Sequence, residues 1–276
     1  MSLPARVAHL MGLPRNERGV KVRRAVRRRL QLYAGRAAYS TIAYLINRAR
    51  SSPLIIEYRP DFHYIFDGIA DYADLFKGWT AGNVTNNSGD LTRFYGLFRN
   101  VEQVLSEGIQ GDLAELGVYR GNSARLLAVL AKKTKRRLYL FDTFCGFDRR
   151  NLQGRDSDKK VAFEDTSLDR VKRLVKLDNV VYVPGLFPDS VPTVALPNRF
   201  AVVHLDCDLY EPTRAGLEYF YSRIPAGGLL IVHDYGSGHW PGVRIAVDEF
   251  LSQRQERPIL LPDKSGTVLI RRACDN

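Results

Sequence analysis

The stretch GDLAELGVYRGNSA, residues 111–124, joins an apolar run to a glycine-containing turn and then to a helical pattern. Its first part, residues 112–118, predicts a buried strand, and residues 122–133 predict the helix that follows. A strand that leads through a short turn into a helix is typical of an α/β fold with a parallel sheet. The stretch therefore predicts a sheet whose ligands bind where the strands end.

The same alternation continues to the end of the chain. Strands are predicted at residues 137–142, 179–185, 199–206 and 228–234, and helices at residues 163–176, 211–223 and 243–254. Two short apolar runs around the turn PDKSG (262–266) predict an antiparallel hairpin. The sequence thus predicts a Rossmann-like α/β fold, with a seven-stranded, mostly parallel sheet that ends in an antiparallel hairpin.

The positive charge of the chain lies in its N-terminal segment. Residues 1–50 contain twelve lysines and arginines and a single acid, while the formal net charge of the whole chain is +11. We predict three segments: a basic amphipathic helical arm (1–50), a cap segment of helices and loops (51–105) and the sheet domain (106–276). The arm is expected to pack on the sheet domain or on a second subunit in a homodimer, or to dock on an anionic membrane surface. A nucleic-acid partner is disfavoured because the sheet domain has no interleaved basic and aromatic residues.

Cysteine usage and hydropathy favour a cytoplasmic protein. Cys145, Cys207 and Cys274 have no paired spacing, which favours free thiols and argues against structural zinc. No apolar stretch is long enough to cross a bilayer, and the N-terminus lacks the charged-then-apolar order of a signal peptide. We therefore predict a cytoplasmic location, with peripheral binding to the inner membrane surface if the arm docks there.

Acids follow the fourth and fifth predicted strands. Asp206 and Asp208 end one strand, and His233 and Asp234 end the next. Because neighbouring parallel strands end at one edge, Asp206 and Asp234 are expected to converge on a divalent cation. Asp208 also has the spacing of a capping box with Glu211, which would give it a purely structural role. His233 is a cation ligand, a base or a histidine whose hydrogen bonds are satisfied by the backbone.

The first three strands end in residues that suit a nucleotide-like ligand. Gly117 and Gly121 allow a close approach of the backbone, and Asp142 is placed to accept hydrogen bonds from a ribose diol or to stabilise a turn with Thr143. The turn at Gly185 either borders an adenine or is only a turn. The aromatic stretch around Trp79, Phe94, Tyr95 and Phe98 and the loop 144–160 are candidates for a lid or for ordinary packing and loop structure.

Five motifs occur in a characteristic order: GDLAELGVYRGNSA, FDTFCGF, VYVPGLFPDSVP, LDCDLYEPT and GGLLIVHDYG. Over residues 90–255 this series resembles the macrocin O-methyltransferase family (TylF/MycF type), which are class I methyltransferases that use S-adenosylmethionine. The resemblance implies a class I methyltransferase fold and a hydroxyl acceptor on a sugar of a natural product or glycan. It makes residues 106–276 an S-adenosylmethionine-binding domain.

The resemblance also implies roles for single residues. The cofactor-binding set would be Glu115, Gly117, Tyr119, Gly121, Ser123, Asp142, Thr143 and Gly185, with Glu115, Gly117 and Gly121 on the methionine side. Family members hold a divalent cation, usually Mg²⁺, by the acid matching Asp206 and by a pair of acids that reads His233-Asp234 here. Since imidazole is a poor Mg²⁺ ligand, His233 makes the metal uncertain at the sequence level.

The motifs leave the chemistry open between two mechanisms. In the first, Asp206 serves as cation ligand and proton acceptor, with Asp234 as a second ligand. In the second, no metal binds and His233 becomes the general base. Two further hypotheses concern the protein as a whole: a methyltransferase that acts on a lipid-linked glycan or on RNA through the arm, and a binding module that has lost catalysis.

Overall fold

The computed structural model describes residues 72–87 and 90–274. The predicted basic arm, residues 1–50, and residues 51–71 of the predicted cap segment lie outside the described residues. The described part of the cap segment forms helices α1 (Tyr72–Thr80), α2 (Val84–Asn87) and α3 (Leu91–Ser106). These helices belong to the same compact unit as the sheet. In the described part of the chain, no helix is long and apolar enough to span a bilayer.

Seven strands form one sheet in the order β3-β2-β1-β4-β5-β7-β6. The strands are β1 (Asp112–Leu116), β2 (Leu138–Asp142), β3 (Val180–Pro184), β4 (Phe200–Leu205), β5 (Leu229–Val232), β6 (Ile259–Leu260) and β7 (Val268–Arg271). Strands β1 to β5 are parallel, whereas β7 runs antiparallel to β5 and to β6. The predicted fold, including its C-terminal hairpin, is confirmed.

Helices connect the parallel strands as the sequence pattern predicts. They are α4 (Asn122–Lys133), α5 (Leu168–Val175), α6 (Tyr210–Tyr221) and α7 (Pro241–Leu251). Short 3₁₀ turns occur at Arg149–Asn151, Gly154–Asp156 and Val191–Thr193. Helix α5 begins later than predicted because the Ser167 side chain caps it by accepting a hydrogen bond from the backbone N–H of Arg170.

Side chains of the central strands alternate between two covered faces of the sheet. Leu116 and Leu205 pack against α6, where Gly216 leaves room for them. The side chains of Glu115 and His204, which are register partners on β1 and β4, point to the opposite face and are fully buried. A buried carboxyl group is costly unless it is bonded, and this pair meets at 2.8 Å between Glu115 Oε1 and His204 Nδ1.

The ends of β1 and β4 lie unusually close together at Gly117. This glycine has φ +85°, and a Cβ there would overlap the backbone oxygen of Asp206. The backbone N–H of Asp206 donates to the carbonyl of Leu116 at 2.8 Å, and that of Gly117 donates to the carbonyl of Phe141 at 2.9 Å. The carboxyl ends of three strands are thereby fixed side by side, and Asp206 is held at the edge of the sheet.

The substitution Gly117→Ala should destabilise the protein more than an equivalent glycine change elsewhere. Gly108→Ala is the matched control, because Gly108 also has positive φ (+75°) but no atom near its missing side chain. We expect Gly108→Ala to cost about 1 kcal/mol and Gly117→Ala at least about 2 kcal/mol more, measured by urea unfolding. Equal losses for the two variants would show that the close approach of β1 and β4 does not constrain the fold.

Candidate active site

A cavity of about 460 Å³ lies at the carboxyl ends of the parallel strands. This volume is in the range of small-molecule sites. Eight of the predicted site residues line it: Gly117, Tyr119, Asp142, Thr143, Gly185, Asp206, His233 and Asp234. The fold therefore brings the ends of all five parallel strands to one cavity, as expected for an open α/β sheet.

Three residues predicted to contact a cofactor, Glu115, Gly121 and Ser123, are not among the residues that line this cavity, and their cofactor contacts stay a prediction. Glu115 is fully buried against His204, and Ser123 faces it from α4. Gly121 lies under the side chain of Val171, whose Cγ1 would be 2.9 Å from a Cβ at this position. Because side chains alternate between the two faces of a strand, the side chain of Glu115 points to one face of the sheet and not along the strand to its end.

Asp142 supports the turn that follows β1. Its Oδ2 accepts hydrogen bonds from the backbone N–H groups of Val118 (2.6 Å) and Tyr119 (3.0 Å), and its Oδ1 accepts one from the N–H of Phe144 (2.6 Å). The turn-stabilising role predicted for Asp142 is therefore present. A carboxylate has further lone pairs, and Asp142 lines the cavity, so a ribose-binding role stays a prediction.

The acids after β4 and β5 converge as the sequence predicts. Donor atoms of Asp206, His233 and Asp234 all lie within 4.8 Å of one another. Asp208 joins this group and bonds to Asp234, from a backbone conformation with φ +62°. The side chains after two adjacent parallel strands thus form one acid cluster, defined as Asp206, Asp208 and Asp234, beside the imidazole of His233.

The capping role considered for Asp208 is wrong. Leu209 occupies the N-cap position of α6 and makes no side-chain cap. The backbone N–H of Tyr210 instead donates to Oδ2 of Asp156 at 2.7 Å. This places Asp156 of the loop 144–160 at the start of α6, and frees Asp208 for the acid cluster.

Crowding of buried carboxyl groups changes their proton affinities. Burial, followed by the neighbouring carboxylates, raises the pKa of Asp208 well above its ordinary value. Burial and the charge of Asp206 raise the pKa of Asp234 to about 6. Burial acts in the same direction on Asp206, but the Arg93 guanidinium, together with His233 and His204, outweighs it and holds the pKa of Asp206 below its usual range. Asp206 is therefore the charged member of the cluster, and Asp234 titrates near neutral pH.

His233 is a neutral, hydrogen-bonded imidazole. Its Nδ1 lies 2.8 Å from Oγ1 of Thr267, and its Nε2 lies 3.8 Å from Oδ1 of Asp234. Burial and the nearby Arg93 lower the pKa of His233 to about 3. The observed partner of its Nδ1 is a side chain and not the backbone, and the roles predicted for His233 as ligand or base stay predictions.

Arg93 is a central residue of the site that the sequence analysis missed. It lies on the buried face of α3, and its Nη2 is 2.5 Å from Oδ2 of Asp206. Its guanidinium also lies over the ring of Trp79, 5.5 Å from the ring centre. In the sequence, Arg93 stands next to Phe94 on the apolar side of a helical pattern. Such a pattern gives no indication of a partner 113 positions away.

Aromatic side chains surround the outer part of the cavity. Trp240 lies edge-to-face with Phe147, at 5.6 Å between ring centres, and 6.2 Å from Phe163, and all three line the cavity. The loop 144–160 supplies Phe147 and is tied to α7 by an ion pair between Arg155 and Glu249. The other lid candidates behave differently: Trp79, Phe94 and Phe98 are buried in the core, so packing is their role.

The donor atoms present fit both groups that the sequence implies. Carboxylate oxygens from Asp206 and Asp234, with Asp208 beside them, are the type of ligand that Mg²⁺ prefers. Gly117 and Gly185 leave the backbone open to the cavity, and Asp142 stands at the end of β2. His233 contributes little to a magnesium site, because nitrogen is a poor ligand for this ion.

Comparison with known proteins gives one consistent result. The sequence profile of the macrocin-O-methyltransferase (TylF) family matches residues 89–271. The chain is 32% identical over 196 residues to the 8-demethyl-8-(2,3-dimethoxy-alpha-L-rhamnosyl)-tetracenomycin-C 4'-O-methyltransferase of Streptomyces olivaceus, over 66% of this chain and 75% of that protein. It is 31% identical over 176 residues to the mycinamicin III 3''-O-methyltransferase of Micromonospora griseorubida, over 58% of this chain and 68% of that protein. The solved structure of the O-methyltransferase NovP superposes with a TM-score of 0.56 at 27% identity, over 66% of this chain and 80% of that one.

The substitution Asp234→Asn should stabilise the protein at high pH. The unfolded carboxyl titrates at its ordinary value of 3.8 and the folded one near 6, so folding favours the protonated form. The contribution of Asp234 to stability is therefore present below pH 4 and is lost as the pH rises to about 6. At pH 8 we expect Asp234→Asn to raise the free energy of unfolding by about 1 to 3 kcal/mol, measured by urea unfolding.

At pH 3.5 the gain should vanish, because the wild-type carboxyl is then largely protonated in both states. The control is Asp189→Asn, at an exposed residue that pairs with Arg150. It should change stability by less than about 0.5 kcal/mol at either pH. A loss of stability for Asp234→Asn at pH 8 would contradict the described charge balance.

Proposed function

Because the chain belongs to the macrocin O-methyltransferase family and is an O-methyltransferase, we propose that it transfers a methyl group from S-adenosylmethionine to a hydroxyl of a sugar. The sugar would belong to a glycosylated natural product or a glycan. The observation that carries this proposal is the acid cluster, which lies on a cavity at the ends of the parallel strands. Such a cluster suits a reaction in which a neutral hydroxyl must lose its proton.

The names of two relatives support a sugar acceptor. The tetracenomycin enzyme is named as a 4'-O-methyltransferase of a substrate that bears a rhamnosyl group. The mycinamicin enzyme is named as a 3''-O-methyltransferase. The cavity itself combines aromatic and polar side chains, which is how small-molecule sites orient a ligand. Trp240 and Phe163 would pack on the C–H face of a sugar ring, while Asn151 and Asp148 offer polar contacts to its hydroxyls.

S-adenosylmethionine would lie along the ends of β1, β2 and β3. Gly117 lines this part of the cavity, and Asp142 would accept hydrogen bonds from the ribose. Gly185 and Leu186 would border its adenine. This arrangement would leave the ends of β4 and β5, with the acid cluster, for the acceptor hydroxyl.

The chemistry requires one proton acceptor. The bond from the acceptor oxygen to the methyl carbon forms as the sulfur–methyl bond breaks, and the sulfonium becomes a neutral thioether. The hydroxyl proton passes to a carboxylate of the cluster. Asp234 is the better acceptor, since its pKa of about 6 matches neutral pH, whereas the Arg93 ion pair makes Asp206 a weaker base. Asp206 would stay charged and orient the hydroxyl.

A divalent cation is a further part of the proposal. Asp206 and Asp234 would hold Mg²⁺, with Asp208 as an additional oxygen donor. When bound, the ion would lower the pKa of a coordinated hydroxyl. The runner-up mechanism uses no metal and takes His233 as general base, but its pKa of about 3 makes it a weak proton acceptor at neutral pH.

Several predictions rest on the N-terminal arm, which lies outside the described residues. These are docking on a membrane surface, on a lipid-linked glycan or on RNA, and formation of a homodimer, and all of them stay predictions. The cytoplasmic location, which was inferred from cysteine usage and hydropathy, also stays a prediction. A binding module without catalysis is distinguished from an enzyme by a methyl-transfer assay.

Methyl transfer can be measured directly. The full chain is incubated with S-adenosylmethionine carrying a deuterated methyl group, Mg²⁺ and natural products that bear a deoxysugar with a free hydroxyl. We expect a product heavier by one deuterated methyl group, which NMR places on a sugar oxygen. Asp206→Asn should lower kcat by about 100-fold, because Asp206 orients the hydroxyl, whereas Asp189→Asn should leave it unchanged. Methylation of a nitrogen or carbon, or no transfer to any glycosylated acceptor, would overturn the proposal.

The pH dependence of the reaction identifies the base. Without added divalent cation, we expect kcat/KM to rise with pH through about 6, because Asp234 must be deprotonated to accept the proton. In His233→Asn, kcat should fall by less than about ten-fold and this acidic limb should persist, since the neutral imidazole would take no proton. Loss of activity in His233→Asn comparable to that in Asp206→Asn would favour the runner-up mechanism.

A further inference from the structure

A positively charged side chain of the protein already lies against the acid cluster. The Arg93 guanidinium reaches Asp206 from α3, with 2.5 Å between Nη2 and Oδ2. Both side chains are largely removed from water, with 11% and 20% of their surfaces exposed. An ion pair in such surroundings is much stronger than one at the surface, and breaking it leaves a buried charge.

Arg93 is held at this place by a rigid support. Trp79, whose ring lies beneath the guanidinium, exchanges two hydrogen bonds with Asn87: its Nε1 donates to the Asn87 carbonyl at 3.0 Å, and Asn87 Nδ2 donates to the Trp79 carbonyl at 2.8 Å. Asp90 caps the start of α3 one turn before Arg93. The Nε of Arg93 has no hydrogen-bond partner among the described residues. Its position is therefore set by the ring of Trp79, by the ion pair with Asp206 and by the nearby charges of Asp234 and Asp90.

A divalent cation would need the same carboxylate. Asp206 and Asp234 would hold the ion through their carboxylate oxygens. An ion held by Asp206 would bring a second positive charge beside the guanidinium, and two positive charges at one buried carboxylate repel each other. The single negative charge of Asp206 would then have to offset both the divalent ion and the guanidinium of Arg93.

We propose that Arg93 occupies the cation position of this site and competes with the divalent ion for Asp206, so that metal binding requires Arg93 to leave the carboxylate. This inference rests on the proposed function only in taking a divalent cation as a ligand of the acid cluster. It gives Arg93 two positions: paired with Asp206 when no metal is bound, and away from this carboxylate when the ion is present. Arg93 is thus a positioning residue that sets how tightly the site holds a metal.

The test is a Mn²⁺ titration of the full chain, followed by the electron paramagnetic resonance signal of free Mn²⁺, without cofactor or acceptor. Arg93→Met keeps a long apolar side chain on Trp79 and removes the charge. We expect it to bind Mn²⁺ at least about ten-fold more tightly than wild type, because the competing charge is gone. Asp206→Asn in the Arg93→Met background should abolish this gain. Arg99→Met, on the same helix but paired with Glu102, is the matched control and should change the affinity less than about two-fold.

Weaker or unchanged Mn²⁺ binding in Arg93→Met, or no binding to either protein, would overturn the inference. If Arg93→Met does not fold, the wild-type protein labelled with ¹⁵N-arginine decides the question. The Arg93 Nε–H resonance, assigned through its absence in Arg93→Lys, should shift when Mg²⁺ is added, and an unmoved resonance at saturating Mg²⁺ would overturn the inference. Since neither measurement uses S-adenosylmethionine or an acceptor, its outcome is independent of whether methyl transfer is observed.

Discussion

The close contact between the ends of β1 and β4 is the constraint on which the site depends. Gly117 lets the two backbones meet where any other residue would overlap the carbonyl of Asp206. The contact fixes the direction in which the chain leaves β4, and therefore where the carboxylate of Asp206 lies. The turn before α4 is held on the other side by Asp142 of β2. One glycine and one carboxylate thus align three strand ends around a single cavity.

The same alignment places the carboxyl groups of the acid cluster close together in a buried site, where their negative charges repel one another. Two of them, Asp208 and Asp234, respond with raised pKa values, and Asp206 keeps its charge beside Arg93. Such a site destabilises the fold to some extent and is retained where a reaction uses it. Excess negative charge also favours the binding of positively charged groups, which include a sulfonium and a divalent ion.

The sequence predicts the sheet and the convergence at its edge for physical reasons. Apolar runs, strand spacing and the rule that parallel strands end together suffice to place Asp206 beside Asp234. The cofactor role of Glu115 comes from the resemblance alone and stays a prediction, since the structure shows this side chain buried against His204. Arg93 and the cap formed by Asp156 were missed because both depend on contacts between distant segments, which no local pattern encodes. The capping box predicted for Asp208 rested on spacing alone, and the tertiary contact of Asp156 takes its place.

Isothermal titration calorimetry of the full chain would show whether the cavity at the strand ends binds S-adenosylmethionine. We expect binding of one equivalent of S-adenosylmethionine and of its demethylated product, in preference to NAD, whose pyrophosphate finds no glycine-rich cradle in the turn after β1. We also expect a clear loss of affinity in Asp142→Ala, which removes the proposed partner of the ribose. Preferential binding of NAD, or no heat with S-adenosylmethionine in the presence or absence of Mg²⁺, would contradict the account.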